Sequence, residues 1–116
     1  MSQEIVVETM VSIRDYVPKL TRASGEIADR IQDNEGGWVH ILLDYFEGMT
    51  WLVLAINGIR NLNQELLEGW DINLLARLID QVKEAMEQED MVTLCDLMRY
   101  ELQPLLKSYE DMLLDH

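Results

Sequence analysis

A chain of 116 residues, 48% of them apolar, is long enough to bury one core without disulfides or structural metal and too apolar to stay disordered. Its 22 acidic residues against 9 basic ones leave a formal charge of −13 and no Lys/Arg cluster to neutralise phosphates, which excludes nucleic acid and anionic membrane surfaces as partners. A single cysteine, Cys95, rules out an internal disulfide, and without a basic–apolar–small leader pattern the chain is expected in the cytoplasm.

Four helical segments follow in order. In the first, Val6, Met10, Ile13, Val17, Leu20, Ser24, Ile27 and Ile31 recur at steps of four and three, the mark of a helix packed along a seam. The spacing predicts a helix from about Gln3 to Asp33, stopped by Asn34-Glu35-Gly36-Gly37. Pro18 lies inside it, where a proline removes one backbone bond and costs about 3 kcal/mol. Val17 and Leu20 keep the phase on both sides, so a kinked but continuous helix is expected, with a split near Pro18 into five shorter helices as the alternative.

The second helix is predicted from Trp38 to about Glu68, with Gly69 as terminator. Its main stripe is Leu42, Tyr45, Met49, Leu52, Ile56, Ile59 and Leu66. A second apolar set, Trp51, Leu54, Ala55, Gly58 and Leu62, lies roughly opposite at 100° per residue. A helix apolar on two sides is either enclosed by the rest of its domain or shared with another molecule, as a homodimer or with a partner protein. Gly58 costs about 1 kcal/mol relative to Ala in a helix, which makes sense where another backbone comes close. The uncharged run Gly48–Ile59 has 12 residues, short of the roughly 20 that span a bilayer, so no membrane is expected.

Asp71 is placed to cap a third helix over Ile72 to about Gln88, and Asp90 a fourth over Met91 to about Leu114. The fourth carries the seam Met91, Cys95, Met98, Leu102, Leu105, Tyr109 and Met112, again unbroken around a proline, Pro104. Connections this short favour antiparallel neighbours. The expectation is all-α: one domain over residues 1–116, an antiparallel bundle of about four helices, with the first and fourth kinked at Pro18 and Pro104.

Side chains that carry chemistry are sparse. His40, Asp44 and Glu47 share one side of the second helix, but away from its main stripe, where solvent is the expected neighbour of all three. A di-iron bundle needs Glu-x-x-His pairs, and neither His40 nor His116 has Glu three residues earlier, so no metal or other cofactor is expected. Cys95 sits on a seam and is expected to be a buried, inert thiol. Gly36-Gly37 does not open a phosphate-binding loop, and Gly-x-Gly-x-x-Gly is absent. Trp38, Trp51 and Trp70 read as core and loop anchors, and the seven methionines chiefly as core fillers. The densest acidic run, Glu84, Glu87, Glu89 and Asp90, is the first place to seek contact with a basic partner.

Ala85 to Leu106 reads AMEQEDMVTLCDLMRYELQPLL, an acidic turn followed by an apolar helix with Tyr100-Glu101-Leu102-Gln103-Pro104-Leu105-Leu106. This stretch resembles an uncharacterised family of small helical bacterial proteins, with Gly48–Trp51 and Ile56–Gly58 compatible with it. The resemblance implies an all-helical fold and a Gram-positive cytoplasmic origin, and it transfers no activity or site residues. Size, acidity and helix content are also similar in type to small export chaperones, including those that cap flagellar subunits. The function expected is therefore non-enzymatic: a self-associating or adaptor bundle for protein–protein interaction. An acidic export or flagellar-type chaperone is the narrower alternative, and a small-molecule-binding bundle the alternative of another class.

Overall fold

In the computed structural model, which describes residues 2–114, the first seam is realised as α1 (Ser2–Gln32). Ile13, Val17, Leu20, Ser24 and Ile27 are all buried on it, as the spacing requires. The helix passes through Pro18 without a break. The carbonyl that loses its donor there belongs to Arg14, an exposed residue with water at hand. Asn34 closes the helix in the left-handed region (φ 55°), and the Glu35 amide returns to the Arg30 carbonyl at 2.8 Å.

The second helix, α2 (Trp38–Leu62), stops short of the expected Glu68. Asn63 turns extended (φ −153°), and its side-chain oxygen accepts from the Glu65 amide at 3.1 Å, which offers the backbone an alternative to another helical turn. The chain then folds Leu67 and Trp70 under the end of the bundle, where both are buried. Leu67, not Gly69, takes the left-handed conformation (φ 57°). The Arg60 guanidinium holds this connection together by donating to the carbonyls of Leu67 at 2.7 Å, Glu68 at 3.3 Å and Trp70. Leu66 therefore leaves the helical stripe on which it was expected.

Asp71 caps α3 (Ile72–Glu87) by accepting from the Leu74 amide at 2.9 Å. Asp90 caps α4 (Met91–Asp96) with both oxygens, from the Thr93 amide at 3.1 Å and the Thr93 hydroxyl at 2.6 Å. Those bonds hold the Asp90 carboxyl below its usual range, the hydroxyl contributing most.

The fourth rod departs from the expected single kinked α-helix. A π-helical turn (Leu97–Leu102) sits between α4 and α5 (Gln103–Leu114). The Gln103 amide bonds back to the Met98 carbonyl, one residue further than in an α-helix. Pro104 falls in the first turn of the renewed α-helix, where its missing N–H and ring are tolerated. The wider turn also changes which residues face inward. Leu94, Met98, Leu102 and Leu106 are buried at every fourth position, while Cys95 and Leu105 of the predicted seam are only half-buried.

α1 packs against α2 and the fourth rod, and α3 against the same two, so the four rods form a ring 47 × 21 × 21 Å in extent. α3 has 16 residues to the 31 of α1, about 24 Å against 46 Å, and covers only part of the bundle's length. Inside, Ser24 is the one buried polar side chain among the described residues. Its hydroxyl donates to the Leu20 carbonyl at 3.0 Å and lies 2.8 Å from the Tyr45 hydroxyl, which therefore supplies the proton between them.

Candidate interaction face on α2

The inner stripe of α2, from Leu42 through Tyr45, Met49, Leu52 and Ile56 to Ile59, is buried against the other helices. The second apolar set is open. Leu54 is 65% exposed, Leu62 50% and Trp51 38%, with Ala55 half-buried beside them. A Cβ built on Gly58 would meet nothing within 4 Å. The other three helices thus leave this side of α2 uncovered, which removes the enclosed-helix alternative. Leu43, 51% exposed, lies two turns before Trp51 on the same side. Sequence reasoning passed over it, although the spacing Leu43, Glu47, Trp51 was there to be read.

Trp51 is not a free surface residue. Its ring meets Tyr16 of α1 edge to face, centroids 5.4 Å apart and planes at 88°. Tyr16 in turn fills the space that Gly48 leaves: a Cβ there would overlap the phenol oxygen and come within 2.9 Å of its ring carbon Cε2. A side chain at position 48 would therefore have to move the Tyr16 ring, and neither Gly48 nor Tyr16 was singled out by spacing.

Alongside this pair runs an open groove between α1 and α2. At one end, of about 550 Å³, it is bordered by Asp15 and Lys19 of α1 and by Asp44 and Glu47 of α2. It continues past Ser12 and Trp51 into a second recess of about 450 Å³, bordered by Glu8 and Thr9 and by Leu54 and Ala55. Asp15 is 4.0 Å from Arg14, a contact between side chains mostly in water and worth little. The groove's polar side-chain groups among the described residues are carboxylates, one ammonium, hydroxyls and the Trp51 indole N–H.

His40 is exposed like Asp44 and Glu47, and among the described residues no three His, Cys, Asp or Glu side chains come together as metal ligands. His116 lies outside the described residues. At the acidic turn Glu84, Glu87 and Glu89 are exposed, and Glu84 accepts from Gln88 at 3.3 Å. Asp90 is committed to its cap. Cys95 is half-buried instead of enclosed, and its neighbour Leu94 is the fully buried residue of that turn; the Cys95 Sγ is 3.7 Å from the Ala28 carbonyl. Partial burial pushes the thiol up, with Arg99 opposing and Asp96 adding to the shift.

By length and composition α2 is apolar enough to cross a membrane, with a mean hydropathy of 1.4 over its most apolar window, and the core helix of a soluble bundle meets the same criterion. The sequence criterion counted only the uncharged run within it.

Neither a curated protein nor a solved structure matches the chain. Residues 8–112 match the family described as Domain of unknown function (DUF8042), and the chain belongs to that family.

Proposed function

We propose that this chain is a non-enzymatic interaction module that docks another protein on the outer side of α2. The observation that carries the reading is the uncovered apolar set: Leu54 and Leu62 are half or more exposed beside Trp51. Singly exposed leucines are ordinary, but a stripe along one helix is the pattern of a docking face. A small acidic export chaperone is the narrower form of this reading, and a cytoplasmic location in a Gram-positive bacterium belongs to the same proposal.

Self-association is the second reading, and Gly58 favours it. The chain itself has no contact that demands a glycine there, whereas a second α2 crossing at that point would.

The test is a photo-cross-linking amino acid placed at Leu54 in cells, with exposed Arg77 of α3 as the control position. A discrete protein adduct from position 54 alone is the expected result. An adduct of twice 13.5 kDa selects the homodimer, and one of any other mass a distinct partner. No adduct, or the same adducts from both positions, overturns the interaction reading.

A further inference from the structure

We infer that the groove between α1 and α2 accepts a basic amphipathic helix of a partner protein, an assignment that rests on the interaction reading above. The dimensions suit a helix. Glu8 to Lys19 on α1 spans 11 residue steps, about 16 Å or three helical turns, and Asp44 to Ala55 runs antiparallel along the other wall. Helix-in-groove recognition reads residues at i, i+3, i+4 and i+7, which is two turns of such a partner.

The chemistry changes along the groove in the way an amphipathic partner needs. Trp51, Leu54 and Ala55 give one stretch an apolar wall. Asp44 and Glu47 continue the same wall as carboxylates, one to two turns earlier on α2, with Asp15 facing them from α1. Counting both recesses, the carboxylates of Glu8, Asp15, Asp44 and Glu47 stand against the single ammonium of Lys19. Asp44 and Glu47 are exposed and have no ion-pair partner among the described residues. Between the two stretches the Tyr16–Trp51 pair offers aromatic surface for the aliphatic stem of a Lys or Arg whose head reaches the carboxylates.

Charge selects this occupant over a second copy of the chain. A copy docked in the groove would bring a body of net charge −13 against four carboxylates. A helix carrying Leu on one stripe and Lys or Arg beside it meets both the apolar wall and the acidic one.

The probe is a synthetic helical peptide of about 14 residues with Leu at i, i+4, i+7 and i+11 and Lys flanking that stripe. Its counterpart has Glu in place of every Lys. Binding of each fluorescein-labelled peptide to the full chain is followed by anisotropy, with amide NMR shifts locating the site. The Lys peptide is expected to bind and to shift residues 12–19 and 44–55, and the Glu peptide not to bind. Asp44→Lys with Glu47→Lys should weaken the Lys peptide by about tenfold or more, and Asp44→Asn with Glu47→Gln by less. Glu84→Lys with Glu87→Lys, the same charge change on the remote acidic turn, should leave affinity within about twofold. All four positions are exposed, and circular dichroism confirms that the variants are folded.

Equal weakening by the two Lys double variants would mean attraction to the overall negative field and overturn the inference. So would NMR shifts confined to residues outside the groove, or no binding of the Lys peptide. If the peptide fails while the position-54 adduct forms, the partner chemistry falls and the interaction reading stands; if the adduct is missing too, both fall.

Discussion

The two sides of α2 are built from the same residue types and have opposite fates. Met49, Leu52 and Ile56 are fully buried, while Leu54, two positions from both Leu52 and Ile56, is 65% exposed. The difference lies in where the neighbouring rods sit. α1 and α3 close over one side of the helix, and Leu54 stays at the open edge, bordering a shallow recess with Ala76 and Ile79 of α3. Apolar character alone therefore says that a residue can be buried, and the packing of the remaining chain decides whether it is.

The largest expected effect that separates the two sides is truncation. Leu52→Ala should cost about 2–5 kcal/mol in denaturant unfolding, because it opens a cavity among atoms that cannot fully close in. Leu54→Ala should stay within about 0.5 kcal/mol in the monomer. Comparable losses at both positions would mean that the outer side is covered in solution.

Gly48→Ala probes the seam between the two sides. Its new Cβ must displace the Tyr16 ring from the inner edge, which should cost about 1–3 kcal/mol and disturb the Trp51 stack. The stability loss should come with a change in near-ultraviolet circular dichroism from the aromatic pair. An unchanged spectrum would show that Tyr16 does not lie against Gly48.

Alkaline pH should act through the inner side. Burial pushes the Tyr45 phenol far above its ordinary 10.0. The Tyr109 phenol is pushed up to about 12, chiefly by burial, with Asp71 adding and Arg60 opposing. A raised folded-state value means that the native protein holds these protons more tightly than the unfolded chain does. Stability is therefore full below about pH 10 and should fall as pH rises from 10 through 12. Phenolate absorbance should develop for these two tyrosines only together with unfolding. Their ionisation in a fully helical protein near pH 10 would place them in water.

The smallest effect is on the outer side. Gly58→Ala meets open space and should stabilise the monomer by about 0.5–1 kcal/mol through helix propensity alone. If it instead weakens a dimer detected by sedimentation, a second backbone approaches at Gly58 and the self-association reading is strengthened.

The helices themselves were legible because periodicity and capping are local properties. The α1 seam from Ile13 to Ile27, the inner stripe of α2 and the Asp71 and Asp90 caps all follow from spacing and side-chain chemistry within one turn or two. The end of α2 was not legible, because it depends on Arg60 gathering carbonyls seven to ten residues ahead in a connection whose shape no periodicity records. Nor was the π-turn before Pro104: an unbroken heptad phase is compatible with a kinked α-helix, and only packing against α1 and α3 shows that Leu94 and Leu106 turn inward where Cys95 and Leu105 were expected.

The same division holds for the candidate site. Trp51, Leu54, Ala55, Gly58 and Leu62 could be named as a second apolar set from their angular positions, since 100° per residue is fixed by the helix. Whether that set faced the core or solvent, and that Asp15 of α1 would stand across a groove from Asp44 and Glu47 of α2, was decided only by the docking of one helix on another. That docking includes the fit of Tyr16 over Gly48, residues 32 positions apart, and a contact between such distant positions leaves no repeat in the sequence to reveal it.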